Sequence, residues 1–164
     1  MSTLLSSMMN TQIQKEFESA YIYLGFAAFF DRKGLPGFSS WYKIQAREEE
    51  NHAMKIYGFL CKVNQPVELL PISAPKEKPE TISQVLAKAL EHEEYVTNLI
   101  STIYFQAEKE KELFAKNFLE WFISEQLEEE QNAKELIGKY EIFGSTPEGL
   151  YALDKELGLR KLES

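Results

Sequence analysis

The sequence predicts an all-α protein: an up-down four-helix bundle with a long crossover between the second and third helices and a short fifth helix. Apolar residues recur at intervals of three and four through four long segments, which is the spacing of one helix face. Glycine and proline separate these segments. A chain of 164 residues, 44% of them apolar, can bury one substantial core, so we expect a single domain over 1–164.

The first helix is predicted over about 4–31 and the second over about 38–63. The break between them, at 34–37, is short, which favours an antiparallel pair. Residues 21–30 are apolar nearly all round, which favours burial on two sides and therefore a partner subunit. The apolar stripe of the first helix is Met9, Ile13, Glu16, Ala20, Tyr23, Ala27 and Phe30, and that of the second is Trp41, Gln45, Glu49 (or Glu48), His52, Ile56, Phe59 and Val63.

The stretch 64–80, here called the crossover, contains four prolines and cannot be helical. Fully extended it reaches roughly 55 Å, whereas the second helix is about 39 Å long. The crossover can therefore run the length of the bundle and set the third helix parallel to the second.

The third helix is predicted over about 81–107, because Thr81 to Gln84 form a capping-box pattern. The fourth is predicted over about 112–143. The fifth, over about 147–157, begins with a proline that suits a first helical turn. The third stripe is Ile82, Leu86, Ala89, Glu93, Val96, Ile100, Ile103 and Ala107, and the fourth is Phe114, Phe118, Phe122, Glu125, Glu129, Leu136, Tyr140 and Phe143.

Every one of the four long stripes is interrupted by carboxylate. Given the crossover topology, these groups all fall within about one helical turn of mid-bundle. A single glutamate on a stripe commonly reflects a misassigned face, and a lone histidine is commonly a hydrogen-bonded core residue. A misassigned face in each of four helices, always at the same height in the bundle, is a much weaker explanation of these residues. The interrupting residues are Glu16, Glu49 with His52, Glu93, and Glu125 with Glu129.

These buried groups favour a metal site over a metal-free structural bundle. The stripes offer no lysine or arginine at that height, so carboxylates without a cation would have to protonate or repel one another. One imidazole, several carboxylates and no thiolate disfavour structural zinc and favour iron or manganese. There are more carboxylates than one divalent ion needs, and Glu49 is well placed to bridge two ions.

The sequence resembles the bacterial and archaeal non-haem ferritins of the ferritin-like di-iron family over nearly the whole chain. The most specific match is the Trp-x-x-x-Glu-Gln-x-Glu-Glu-Glu pattern that starts at Trp121. The other matching stretches are 10–23, 48–54, 92–93, 117–130 and 149–157.

The resemblance implies three metal positions. Two iron ions would form the ferroxidase centre, with a third iron beside it. The first position would use Glu16, Glu49 and His52, the second Glu49, Glu93 and Glu129, and the third Glu48, Glu125, Glu128 and Glu129.

Three further residues gain roles from the resemblance. Gln126 would hydrogen-bond near the oxygen-binding face, and Tyr23 and Trp121 would be the aromatic residues beside the centre. The catalytic set implied in this way comprises Glu16, Glu49, His52, Glu93, Glu129, Gln126 and Tyr23.

Several residues of this chain differ from the patterns of other ferritin-like proteins, and these differences argue against membership of those groups. Bacterioferritins and rubrerythrin-like peroxidases carry a second histidine where this chain has Glu128. Bacterioferritins bind haem with a methionine where this chain has Glu50, so we expect no haem. No CxxC pair is present for a rubredoxin-type iron. The small DNA-protecting relatives build their centre between subunits and lack the fifth helix.

We therefore expect an iron-storage ferritin that oxidises Fe²⁺ with O₂ or hydrogen peroxide and stores Fe³⁺ mineral in a 24-subunit cage. The alternative is a stand-alone di-iron peroxidase or oxygenase without mineral. A net charge of −8 argues against nucleic acid as a partner. The longest apolar run is too short to span a bilayer and no signal peptide is evident, so we expect a cytoplasmic protein without membrane contact.

Overall fold

The computed structural model describes residues 1–163, and within this range the chain forms five α-helices and no strand. The predicted all-α class is confirmed. No helix of this range combines the length and the hydropathy that a membrane span requires. The helices are α1 (Thr3–Lys33), α2 (Pro36–Lys62), α3 (Ile82–Lys109), α4 (Leu113–Phe143) and α5 (Pro147–Leu157).

The helix ends lie within two residues of the expected positions, and the start of α2 differs for a clear reason. Pro36 is not part of the connecting loop but opens α2, because proline has no N–H to lose in a first turn and its fixed φ suits the helix. Gly34 closes α1 with a φ of 75°, a left-handed conformation that glycine adopts without a steric cost. The connection between α1 and α2 is therefore very short.

The crossover is non-helical, as expected, and it lies along α1. The Asn10 side chain donates to the Pro66 carbonyl at 3.0 Å and accepts from the Glu68 amide at 2.8 Å. One helical turn further, the Gln14 side chain donates to the Pro71 carbonyl. These contacts satisfy polar backbone groups that a proline-rich segment cannot pair with itself, and they guide the chain along the bundle to the start of α3.

The apolar core consists of two clusters stacked along the bundle axis, with a layer of polar side chains between them. In α1, for example, Ile13 belongs to the first cluster and Ala20 to the second, and the buried Glu16 lies between them. The first cluster also contains Leu5, Met9, Ile56, Leu60, Ile100 and Leu119, and the second contains Phe30, Phe38, Tyr42, Leu86, Leu136 and Leu153.

The buried face of α4 differs from the predicted stripe at its start. Phe114 is 73% exposed, whereas Ala115 and Leu119 are buried. Steps of four residues rotate about 40° around the helix relative to a fixed face, so the phenylalanine series begins away from the core and reaches it only two steps later. Alternating steps of four and three stay on it, and they continue to the buried Gln126.

Helix α5 packs against the start of α2 and the end of α4, and it closes that end of the bundle. The Asp154 carboxylate accepts from the Phe38 amide at 2.9 Å, which satisfies one of the unpaired donors at the start of α2. Gly37 lies directly beneath Asp154, and a Cβ atom at this position would be 1.6 Å from the Asp154 carbonyl oxygen. The docking of α5 therefore requires glycine at 37.

We expect Gly37→Ala to destabilise the protein by about 1–3 kcal/mol, because the added methyl group must push α5 away. Gly58→Ala is the matched control, since a Cβ at Gly58 meets nothing within 4 Å and alanine is the better helix former. Denaturant unfolding followed by circular dichroism measures both. Equal stability of Gly37→Ala and the unmodified protein would contradict the close packing of α5.

Candidate metal centre

Side chains from all four long helices meet in the polar layer between the two apolar clusters. They form three overlapping groups, and within each group one ligand-type atom per residue lies within 4.8 Å of the others. The groups are Glu16, Glu49 and His52; Glu49, Glu93 and Glu129; and His52, Glu125 and Glu129.

The first group joins α1 to α2 and is almost fully shielded from solvent. Glu16, Glu49 and His52 are 1%, 2% and 4% exposed. Their three-residue spacing puts Glu49 and His52 on one face of α2, and His52 Nδ1 lies 3.2 Å from Glu49 Oε2. The same nitrogen lies 3.9 Å from Glu16 Oε2.

One buried oxygen of this group lacks a hydrogen bond. Within residues 1–163, Glu16 Oε2 and Ser39 Oγ are the buried side-chain polar atoms without a hydrogen-bond partner. A buried carboxylate oxygen in this state is costly. A cation held between Glu16, Glu49 and His52 would satisfy it, so the donor set fits a metal ion.

Buried glutamine amides hold the carboxylates in place. Gln12 donates to Glu16 Oε1 at 2.8 Å, and Gln45 donates to Glu49 Oε1 at 2.9 Å and to Glu129 Oε2 at 2.8 Å. Sequence reasoning overlooked Gln12 and gave Gln45 no role. The available signal is the spacing, because each glutamine precedes a glutamate by four residues and so shares its helix face.

The second group is completed by Glu93 of α3, whose carboxylate has two further donors. Gln126 donates to Glu93 Oε2 at 3.1 Å, and the hydroxyl of the buried Tyr23 donates to Glu93 Oε1. A cavity of about 20 Å³, lined in part by Glu93 and Glu129, adjoins this group and is large enough for one water molecule. Gln126 and Tyr23 thus both hydrogen-bond to Glu93, and the roles that the resemblance implies for them stay predictions.

Burial makes most of these carboxyl groups weak acids. Burial and the charge of Glu49 raise the pKa of Glu93 to about 8. The same two causes hold the pKa of Glu16 well above its ordinary value. Burial and the charge of Glu93 likewise hold the pKa of Glu129 well above its ordinary value. A raised pKa means that each of these groups keeps its proton to higher pH, and metal binding must displace that proton.

His52 and Glu49 behave as an ion pair in the metal-free protein. Burial lowers the pKa of His52, but the carboxylates of Glu125, Glu49 and Glu16 outweigh it and raise the pKa to about 12. Burial also opposes charge on Glu49, yet contact with His52 lowers the pKa of Glu49 below its ordinary value. Protonated His52 is thus the positive charge that partly balances this layer.

The four residues expected at a third metal position are not brought together. Glu48 is buried, and its Oε2 atom pairs with Arg160 at 2.7 Å. Glu128 is exposed on the outer face of α4. Glu125 is half-buried, and its Oε1 atom lies 3.7 Å from His52 Nε2. Of the four, Glu125 and Glu129 share a group, and its third member is His52.

Trp121 flanks the centre on the α4 side. Its ring meets the His52 ring edge to face, with 5.5 Å between the centroids. The indole is 39% exposed, and Lys55 Nζ lies 4.2 Å from its ring centroid. Trp121 therefore stands between the buried His52 and solvent.

The chain is similar to known proteins in both sequence and fold. The family model of the ferritin-like domain matches residues 7–143. The bacterial non-haem ferritin of Staphylococcus aureus is 31% identical over 159 residues, which cover 97% of this chain and 96% of the relative. The corresponding protein of Campylobacter jejuni is 31% identical over 148 residues, covering 90% of this chain and 89% of the relative.

A crystal structure of an open-pore ferritin from the hyperthermophilic archaeon Archaeoglobus fulgidus superposes with a TM-score of 0.95. It is 37% identical to this chain, and 98% of each chain is covered. The expected resemblance is thus confirmed by a family model, by sequence relatives and by a solved structure. The chain belongs to the ferritin family.

Proposed function

We propose that this protein stores iron and acts as a ferroxidase, with the two overlapping groups around Glu49 as its Fe²⁺-binding positions. The convergence of carboxylates from four helices on one buried layer supports this proposal most directly, since Glu16, Glu49, Glu93 and Glu129 are each at most 4% exposed. Such a layer binds hard cations well and has no obvious purely structural use.

Glu49 is the residue that both positions share. It would bridge an ion held with Glu16 and His52 and a second ion held with Glu93 and Glu129. Oxygen ligands stabilise Fe³⁺ more than Fe²⁺, so this environment favours loss of an electron. His52 provides the one nitrogen ligand, and it can do so only after it loses the proton that it holds in the metal-free protein.

In the proposed reaction, either O₂ or hydrogen peroxide can accept the two electrons that a pair of Fe²⁺ ions loses. Two Fe²⁺ ions lose one electron each to become Fe³⁺. One O₂ molecule accepts the two electrons and two protons to become hydrogen peroxide, or one hydrogen peroxide molecule accepts them to become two water molecules. The protons that Glu93 and His52 release on metal binding are a nearby supply.

Storage requires an assembly with an interior. The relatives are named as non-haem ferritins and one solved relative as an open-pore ferritin, which supports a homo-oligomeric cage, for which we propose 24 subunits. The net charge of −8 per chain attracts cations to such a shell.

Replacement of the shared carboxylate should remove rapid Fe²⁺ oxidation. We expect Glu49→Ala to slow the fast phase by more than about a hundredfold, beyond the loss usual for residues outside the ligand set. Glu49→Ala removes one partner of the buried His52–Glu49 pair, which costs stability if His52 stays charged. The fold should nevertheless persist, because His52 can then release its proton and become neutral. Stopped-flow absorbance of the ferric product measures the rate.

The control for this variant is Glu50→Ala, which removes the next carboxylate of the same helix from an exposed position. It should oxidise Fe²⁺ at the unmodified rate. A Glu49→Ala protein that is folded and equally fast would disprove the assignment of Glu49.

The metal-free protein should lose stability as pH rises from about 5 to 8. The pKa of Glu93 is about 8 in the folded chain against an ordinary value of 4.5, so folding favours its protonated form. The stabilisation that Glu93 provides in this way is fully present below pH 4.5 and is lost as pH rises towards 8. Over this range the free energy of unfolding falls by at most about 1.4 kcal/mol per pH unit.

Denaturant unfolding of chelator-treated protein at several pH values measures this dependence, and Glu93→Gln should flatten it. Zn²⁺, which is redox-inert, should reverse it, because metal binding favours the deprotonated ligands. A pH profile that is identical in Glu93→Gln and the unmodified protein would contradict the raised pKa.

Assembly size distinguishes storage from a stand-alone di-iron peroxidase or oxygenase. Gel filtration should show a large particle, and electron microscopy after Fe²⁺ loading in air should show electron-dense cores inside it. A small oligomer that oxidises Fe²⁺ without forming a core would support the enzyme alternative and exclude storage.

A further inference from the structure

The chain beyond α5 returns along α2 and places Arg160 against three residues of that helix. Its guanidinium donates to the Trp41 carbonyl at 3.2 Å, to Gln45 Oε1 at 2.8 Å and to Glu48 Oε2 at 2.7 Å. It also lies over the Trp41 ring, 4.2 Å from the centroid. The side chain is 12% exposed, so these contacts are largely shielded from water.

The contact with Gln45 determines which way its amide points. A guanidinium has only donors, so it requires the amide oxygen of Gln45. The amide nitrogen must then face the opposite side, where it donates to Glu49 at 2.9 Å and to Glu129 at 2.8 Å. Arg160 is thus linked through one side chain to two carboxylates of the second group.

The contact with Glu48 supplies a positive charge to a buried carboxylate. Glu48 is 8% exposed and directly precedes Glu49 in the sequence. It is one of the four residues that were expected to bind a third iron. Within residues 1–163, Arg160 is the only cationic side chain that forms a salt bridge with Glu48. Its two oxygens are already directed at the chain end, Oε2 at Arg160 and Oε1 at the Glu163 amide, 3.5 Å away.

We propose that Arg160 is a positioning residue of the metal centre: its guanidinium takes the place of a third metal ion at Glu48 and, through Gln45, orients Glu49 and Glu129. The proposal rests on the proposed function, because it concerns the same centre. It assigns two metal ions per subunit to this chain and a specific role to the segment after α5. A residue that merely anchors this segment would leave metal binding unchanged.

The test is titration of the metal-free assembly with Co²⁺, followed by calorimetry and by the visible absorption of Co²⁺, which reports its ligand geometry. The unmodified protein should bind two Co²⁺ per subunit. Arg160→Ala should weaken one of the two steps by about 10- to 100-fold, as expected when a residue that orients a ligand is lost, and should alter the spectrum.

A control and two further variants separate the contacts. Lys161→Ala, the matched control, removes the same charge from the adjacent exposed residue and should titrate as the unmodified protein. Glu48→Gln should still bind two Co²⁺, because Glu48 is paired with Arg160 rather than with metal. Gln45→Met, which keeps the volume and removes the amide, should weaken the same step as Arg160→Ala and provides the test if that variant does not fold.

Unchanged affinity and spectrum in folded Arg160→Ala or Gln45→Met would overturn the proposal, and so would loss of a metal ion in Glu48→Gln. These results would leave the proposed function intact if the unmodified protein binds Co²⁺ and oxidises Fe²⁺ rapidly. An unmodified protein that binds no Co²⁺ would instead overturn the proposed function itself.

Discussion

The burial of four carboxylates in one layer of the bundle is the constraint on which the rest of the structure depends. Glu16, Glu49, Glu93 and Glu129 are each at most 4% exposed, and the positive charge within the layer is protonated His52. Uncompensated charge at this density would destabilise a helical bundle. In the metal-free chain the raised pKa values of Glu16, Glu93 and Glu129 and the pairing of Glu49 with His52 reduce this charge, and in the functional state we infer that iron balances it.

The remainder of the fold serves to hold that layer at one height. Apolar clusters above and below it fix the spacing of the helices, and the crossover along α1 makes α3 run parallel to α2. Amide donors then restrict the carboxylates, with Gln12 on Glu16 and Gln126 on Glu93. A site preorganised in this way can bind and release ions without rearrangement of the backbone, which suits the proposed binding and release of iron.

Helical periodicity was sufficient to predict the bundle, the crossover and the buried positions of Glu16, His52 and Glu93, because a core helix shows its inner face in its apolar spacing. Periodicity was misleading at the start of α4, where aromatic residues recur every four positions and suggest the wrong buried face. Phe114 belongs to that series but is exposed, whereas Gln126 lies outside it and is buried. The ligand roles came from family resemblance as well as from position, and they remain predictions.

The partner of Glu48 could not have been predicted from periodicity. Arg160 lies 112 residues further along the chain, in a segment after α5 without a repeating pattern, and only the folded chain brings the two together. Likewise, the direction of the Gln45 amide depends on three different elements at once. Contacts of this kind depend on tertiary structure alone, and they decide whether a carboxylate that the resemblance implies as a ligand is free to bind a metal.

Anomalous scattering from crystals soaked with Fe²⁺ under anaerobic conditions tests most directly whether the buried carboxylate layer binds iron. We expect two iron peaks per subunit in the polar layer, one between Glu16, Glu49 and His52 and one between Glu49, Glu93 and Glu129. Iron peaks confined to the surface, with none between these side chains, would contradict this expectation.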